Sequence, residues 1–323
     1  MASTYTVLPN KDTYVDEANA TTNYYGAADL TISTTSGGRK RVLLQFPMPT
    51  IPATEEIKSV AIRLWVKDGA GAPVDAFRIT GDWASNAVTW NAQPTFGSTV
   101  RGTFSPTTSG AFAELDITPL VRSWIAGSLT NNGVALVPQS GTSSAVFQSQ
   151  NGTPDTQDPV LIFTTVTKPQ LELTISTQVV SDPFNGTSNP KRVPGAVIDE
   201  MLTLTNKSAG GSDPGTLDVR RPVPPGTSLF VGDLLAPGYG PIACADGIPS
   251  SGLTYTFSGL ASTTDSLSFS NDNGASFAYA PTPDVSGYDQ AVTNIRITPG
   301  GAMAGAGAGG APSVACTMRL RER

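Results

Sequence analysis

The sequence predicts an all-β protein made of two antiparallel β-sandwich domains in tandem. Three observations carry this. Apolar residues recur with a period of two, as in "SVAIRLWV", where Val60, Ile62, Leu64 and Val66 share one face and Arg63, Trp65 and Lys67 the other. Turn signals rich in Gly, Pro and Asn ("SGG", "DGAGAP", "NNG", "NGT") separate such short runs. The 323 residues exceed the usual span of one domain, so two of about 150 residues are expected.

The elements follow in order. "RKRVLLQF" alternates Val42, Leu44 and Phe46 against Arg41 and Gln45, and "VALV", "AVFQS" and "VLIFTTV" read as further strands. "DITPLVRSWIAG" gives the one helical signal, with Asp116 or Thr118 as cap, Pro119 in the first turn and Gly127 past the end. Lys168 and Pro169 separate two strand-like runs, which sets the domains at 1–167 and 168–323, joined by a very short linker. The second half continues with "LELTISTQVV", "VIDEMLTLTN", "LDVRRPVP", "LTYTFSGL", "AVTNIRITP" and "VACTMRLRE". "SNDNGAS" between "LSF" and "FAY" predicts a hairpin with a type I′ turn, because Asn-Gly tolerates positive φ. The Gly/Ala-rich stretch at 299–312 offers little to pack and is expected to be a flexible loop.

Composition excludes several function classes. Charged residues are 14% of the chain and the net charge is −6, with no basic run, so nucleic acid is not an expected partner. No apolar run reaches the roughly 20 residues that cross a bilayer, so no membrane insertion is expected. "MASTYTVLPN" lacks a basic segment followed by an apolar one, so no signal peptide is read, which suits mature numbering or a virion origin. The chain has no histidine, which removes the Ser-His-Asp triad and most histidine-containing metal sites. No carboxylate pair lies in a recognisable cleft motif, and the expectation is that the protein is not an enzyme.

Several residues are candidates for binding or structure. Trp65 lies outward between Arg63 and Lys67, an arrangement suited to stacking on a pyranose ring while the cations meet acidic groups; Arg41 is expected to join that face. The opposing reading is that Trp65 is covered by a loop or by a neighbouring subunit. In "GDWASNAVTWNAQP" Trp83 and Trp90 are read with Trp124 as a structural aromatic clamp rather than as a sugar platform, with Trp90 on a strand. Asp12, Asp16 and Glu17 supply hard oxygen ligands of the kind calcium takes, although their spacing is not that of an EF-hand; a solvated acidic loop is the alternative. No cofactor other than calcium is implied. Cys244 and Cys316 either form a disulfide closing a long loop or remain two buried thiols.

The first half resembles the DNRLRE-domain family, grouped with carbohydrate-binding modules. "KDTYVDEANATTNYYG", "GGRKRVLLQFPMPTIP", "SVAIRLWV", "TGDWASNAVTWNAQP", "AELDITPLVRSWIAGSLTNNGVALV" and "DPVLIFTTV" carry the likeness over residues 5–166. It implies a jelly-roll-like sandwich attached to secreted or surface proteins, with polysaccharide binding in some members. Asn86 stands where that family usually has an acidic residue, which puts any site needing that carboxylate in doubt. The second half is similar to the conserved-repeat modules of bacterial surface proteins over residues 171–321, through "DPFNGTSNPKRVPGAVIDEMLTLTN", "LFVGDL", "DGIPSSGLTYTFSGL", "SFSNDNGASFAYAPTPDVSGYDQAVTNIRI" and "MRLRER". That likeness implies an Ig-like sandwich acting as a spacer or stalk.

The expected function is therefore a non-enzymatic structural or adhesion protein, extracellular or on the cell surface, assembling with copies of itself into a filament or coat and in contact with polysaccharide. "MASTYTVLPN" is the segment expected to reach a neighbour by strand addition. Two alternatives stand beside it: a monomeric polysaccharide-binding module pair, and a virion-associated fibre or decoration protein.

Overall fold

The computed structural model describes residues 2–69, 73–139 and 144–323. The turn read at "DGAGAP" falls mostly outside them. The chain divides into two compact units, Ala2–Val166 and Thr167–Arg323. Both are all-β, and their described ladders are antiparallel.

The first unit contains β1 (Ala2–Val7), β2 (Lys11–Asp16), β3 (Asp29–Ser33), β4 (Lys40–Gln45), β5 (Glu55–Asp68) and β6 (Val74–Ile79). It continues with β7 (Phe96–Phe104), β8 (Ala111–Asp116), α1 (Thr118–Ile125), β9 (Val134–Pro138), β10 (Ser144–Gln148) and β11 (Val160–Thr167). Hydrogen bonds run in the order β1-β11-β5-β10-β3-β4-β9-β6-β7, with β8 on the other edge of β5 and β2 on the other edge of β4. The sheet folds on itself around Val42, Leu44, Ile62, Leu64, Val134, Leu136, Phe147, Leu161 and Phe163, all essentially inaccessible. The period-two pattern of the sequence is what delivers those side chains to one side. β1 pairs with β11 from Ala2↔Val166 to Val7↔Leu161. The N-terminal strand expected to reach a neighbour is thus paired within its own unit through the edge that faces β11, and it ends the order of the sheet.

The helix forms where Pro119 pre-sets φ in the first turn, and Gly127 follows its end at φ +70. Asp116 Oδ1 accepts from the Thr118 amide at 2.7 Å, while the Thr118 hydroxyl oxygen accepts from the Val60 amide at 2.8 Å and so ties α1 to β5. Leu120, Val121 and Trp124 enter the core.

The second unit contains β12 (Leu171–Ser181), β13 (Val197–Asn206), β14 (Val219–Pro222), β15 (Thr227–Phe230), β16 (Ile242–Asp246) and β17 (Leu253–Thr254). After these come β18 (Leu267–Ser270), β19 (Tyr288–Asp289), β20 (Asn294–Ile297), β21 (Gly300–Gly301) and β22 (Ser313–Glu322). One sheet runs β12-β13-β22-β15-β19 with β16 also on β22, a second runs β14-β20-β18, and β17 pairs β21. Ile198, Leu202, Leu229, Ile242, Phe269, Ile295, Ile297, Met318 and Leu320 fill the space between the two larger sheets, as in a sandwich. Glu200 also points inward, 2% exposed, and Arg221 holds it with two hydrogen bonds of 2.6 and 2.9 Å.

Two expectations for this unit change. Asn273 and Gly274 do take positive φ (+59 and +84), but the return arm makes only a single bridge, Phe269↔Tyr279. β18 instead pairs with β20, whose four-residue register is already in place from Leu267↔Ile297 to Ser270↔Asn294. The 299–312 stretch is not a free loop. Met303 is fully buried against Leu204 and Leu217, its amide and carbonyl bond Ser212, and the Ala304 carbonyl accepts from Asn206 at 2.9 Å. The lack of side chains is what permits this: a Cβ on Gly305 would lie 2.2 Å from the Ala209 carbonyl oxygen. Sparse side chains signal close backbone approach here, not absence of packing.

Cys244 and Cys316 face each other in the β16–β22 register and are joined in a disulfide, with a sequence separation of 72. Among the described residues no helix is long and apolar enough to cross a membrane.

Candidate functional site

β5 and β8 pair from Ala61↔Asp116 to Val66↔Ala111, which sets Trp65 opposite Phe112 and Arg63 opposite Glu114 on the outer face. Trp65 is half-buried because Phe112 covers part of it, edge-on, with ring centroids 5.0 Å apart. Phe112 is itself 40% exposed. The Arg63 guanidinium lies 4.6 Å from the Phe112 centroid, and its Nε is buried with no hydrogen-bond partner. Among the described residues no carboxylate forms an ion pair with Arg63. Beside Phe112 and Glu114 opens a polar cleft of about 140 Å³, bordered by Ser105, Thr107 and Thr108. The result is an aromatic surface with a cation lying on it and hydroxyls at its rim. Phe112 and Glu114 were missed in the sequence: "AFAELD" alternates, but only the register shows which strand it joins.

Lys67 and Arg41 behave differently from expectation. Lys67 is on the Trp65 strand, but its Nζ pairs with Asp29 Oδ1 at 2.5 Å, so its charge is engaged. Arg41 does not join this face. It lies on β4, where Arg41 Nη1 donates to Gln93 at 2.8 Å and the guanidinium sits 4.6 Å from the Trp90 centroid and 5.3 Å from that of Phe96. β4 and β5 are not neighbours in the sheet, so no rotamer brings the two arginines together.

The three tryptophans read as a clamp occupy two places. Trp83 and Trp90 both lie in the segment between β6 and β7, Trp90 in a bend and not on a strand. Trp83 packs with Val15, Leu43, Ile79, Val88 and Ala135, on the opposite face of β4 and β9 from the main core, and Trp90 rests against that cluster. Trp83 Nε1 donates to the Asn132 carbonyl at 2.9 Å, and Lys11 Nζ donates to the Trp83 carbonyl at 2.5 Å. Asn23 fastens the same segment through the carbonyls of Ser85 and Val88. Trp124 is apart from them, in α1 and the main core. Asn86 is exposed.

Asp12, Asp16 and Glu17 do not form a metal site together, because each carboxylate serves a separate purpose. Asp12 is buried and accepts from the Gln150 amide at 2.8 Å. For Asp16, burial favours protonation, but Asn19, the Ala18 amide and Lys40 outweigh it and hold the carboxyl below its ordinary range. Glu17 is taken by Arg39, whose Nε donates to it at 2.9 Å and whose second guanidinium nitrogen also bonds it; this draws the Glu17 carboxyl down to about 2. Among the described residues no three of His, Cys, Asp and Glu gather where one ion could be held.

The Glu17–Arg39 pair has a spectroscopic consequence, since Arg39 also lies 5.5 Å from the Trp90 centroid. A folded-state value below the ordinary 4.5 means the pair stabilises above pH 4.5 and is lost as pH falls toward about 2. Acid titration should change tryptophan emission over that window, and Glu17→Gln should remove that component. An unchanged titration in the variant would show that Glu17 does not control Trp90.

Comparison with known proteins adds the following. No curated protein matches the chain. A crystal structure of a protein described as membrane anchored, from Corynebacterium diphtheriae, aligns over 100% of this chain and 89% of its own at 7% identity, with a TM-score of 0.21, too low to carry any argument. The model of carbohydrate-binding module family 96 matches residues 3–165, the unit that holds Trp65, Phe112 and Arg63. Across that half of its length, the chain belongs to carbohydrate-binding module family 96.

Proposed function

We propose that the protein is a non-enzymatic extracellular or surface protein whose first unit binds a polysaccharide carrying acidic groups on the outer face of β5 and β8. The observation that carries this reading is Arg63, a cation without an ion-pair partner among the described residues, lying on the exposed Phe112 ring beside Trp65. Aromatic faces suit the apolar side of a pyranose ring, the guanidinium suits a carboxylate or sulfate, and the hydroxyls of the adjoining cleft suit sugar hydroxyls. The matched family is one of binding modules, which supports a role without catalysis. A disulfide-bonded second unit suits an oxidising compartment and an Ig-like spacer role for residues 168–323. Affinity electrophoresis against neutral and acidic polysaccharides tests the reading. Trp65→Ala should weaken retention about tenfold, roughly 1.4 kcal/mol, and Arg63→Ala should weaken only the acidic glycans. Retention of both variants at the wild-type level would sink it.

A second reading, self-assembly, rests on β12. Among the described residues this edge strand of 11 residues pairs only with β13, and its core-side Leu171, Leu173 and Ile175 are 39%, 41% and 44% exposed. The β14-β20-β18 sheet leaves them uncovered, beside an apolar cleft of about 470 Å³. Edges of this length are usually blunted by charge or Pro, yet Glu172 is the only charge on this one. An antiparallel copy centred on Ile175 would set Leu171 against Val179 without opposing like charges. Light scattering and negative-stain microscopy at rising concentration should show association in the wild type and not in Ile175→Lys. Monodisperse monomers at all concentrations would remove this reading.

A further inference from the structure

The second unit has a cleft in its own core that the polysaccharide reading does not use. It measures about 470 Å³ and is lined by Leu202, Leu204 and Cys316 of the larger sheet, by Ile297 of the smaller one, and by Tyr255 and Phe257. Its cause is local. Residues 253–257 alternate, with Leu253, Tyr255 and Phe257 half-buried and Thr254 and Thr256 exposed. Only Leu253 and Thr254 enter a ladder, and their partners are Gly301 and Gly300. A Cβ on Gly301 would lie 2.6 Å from the Gly252 carbonyl oxygen, so this close pairing needs glycine and β21 brings no side chain to the core. Beyond the ladder the segment is held at Thr256, whose amide donates to the Ser266 hydroxyl and whose carbonyl accepts from the Ser266 amide, both at 3.0 Å. Interiors leave few voids larger than a water molecule, whereas apolar ligand pockets run from about 300 to 1,000 Å³.

The charge pattern narrows the ligand. Among the described residues no lysine or arginine lines the cleft, Asp246 is its one charged group, and Tyr239, also part of the lining, is 59% exposed. Burial works against the Asp246 charge, but the hydroxyls of Ser250 and Ser251 and the amides of Ser251 and Gly247 outweigh it and hold the carboxyl below its ordinary range. An anionic lipid entering here would meet a carboxylate and no cation, and a charge buried unpaired is costly. We propose that this cleft binds an uncharged, largely aliphatic molecule of the lipid class, so that the second unit takes a ligand of its own. The apolar walls supply the affinity and the lack of a cation supplies the selection against fatty-acid anions.

Leu173 of the β12 edge also lines the cleft, so a neighbouring copy is the competing occupant, and the test separates the two. N-phenyl-1-naphthylamine, an uncharged dye that brightens in apolar surroundings, is titrated into the full chain and into Ile175→Lys, a change on β12 outside the lining. Both should bind one dye per chain with equal affinity. 1-Dodecanol should displace it, and dodecanoate should need a concentration about tenfold higher or more. Val314→Phe adds volume to a side chain that lines the cleft on the Cys316 face of β22 and should weaken the dye about tenfold or more. Leu173→Arg should bring dodecanoate to within about twofold of dodecanol, a gain that no misfolded variant would show. The proposal is overturned if the wild type offers the dye no saturable site, if dodecanoate competes as well as dodecanol, or if Val314→Phe with wild-type dichroism binds as wild type does. Dye binding that Ile175→Lys abolishes would overturn it too, by assigning the cleft to an interface between copies.

Discussion

Trp83→Ala should destabilise the first unit by about 3–5 kcal/mol, the usual cost of removing a buried aromatic. Trp83 is 7% exposed and is the largest member of the cluster it shares with Val15, Leu43, Ile79, Val88 and Ala135. That cluster is small, so a hole in it has few neighbours able to close it. Truncation also strands the Asn132 carbonyl, which accepts from the indole N–H, and loosens the segment that Lys11 and Asn23 hold down. Because the cluster lies on the far side of β4 and β9 from the main core, the loss is expected to show as early exposure of the 80–95 segment to protease, ahead of global melting. Polysaccharide retention by the fraction still folded should equal that of wild type, since the Trp65 face belongs to β5 and β8. The pair of variants therefore separates the two aromatic sites: Trp83→Ala moves stability and not binding, Trp65→Ala binding more than stability. Loss of binding by folded Trp83→Ala would place the sugar contact on the 80–95 segment instead.

What the sequence revealed depended on the range of the interaction involved. Period-two alternation is local, so the strands and the inward faces of "SVAIRLWV" and "RKRVLLQF" were legible, as was α1 from Pro119 and Gly127. Pairing is not local. Arg41 was expected beside Trp65 because both carry outward residues, but β4 and β5 are separated by β10 and β3 in the sheet. Phe112 was invisible as a partner of Trp65 for the same reason. Asp12 was singled out with its sequence neighbours Asp16 and Glu17, while the groups that meet it, the Gln150 amide and the Asp158 carboxylate that feels its charge, lie far along the chain. The 299–312 stretch misled in the opposite sense: poor in side chains, it read as unpackable, although close backbone approach is what such a composition allows. The exposed edge of β12 is likewise a property of its neighbours, because "LELTISTQVV" alternates like any core strand and becomes an edge only where no strand covers it.

Breaking the Cys244–Cys316 bond should cost the second unit about 4 kcal/mol, the chain-entropy value for a loop of this size. The bond spans a sequence separation of 72 that includes β17 to β21, each of them only two to four residues long. Such short ladders supply little local stability, so the unfolded chain gains much freedom when the cross-link is lost. β22 is the strand that the bond holds: it pairs with β13, β15 and β16 and contributes Cys316, Met318 and Leu320 to the core. Two versions of the experiment isolate the cross-link. Reduction of the wild type leaves both sulfurs in place, whereas Cys244→Ala with Cys316→Ala also removes their volume. Their difference reads packing and their common part reads the cross-link. The second unit contains no tryptophan, so the lost stability should appear in the far-ultraviolet dichroism transition while the tryptophan-monitored midpoint stays where it was. A dichroism transition that reduction leaves in place would show that the short strands hold β22 without the bond. A tryptophan midpoint that falls with it would show that the two units unfold together, and the Trp83→Ala measurement would then have to be read as a property of the whole chain.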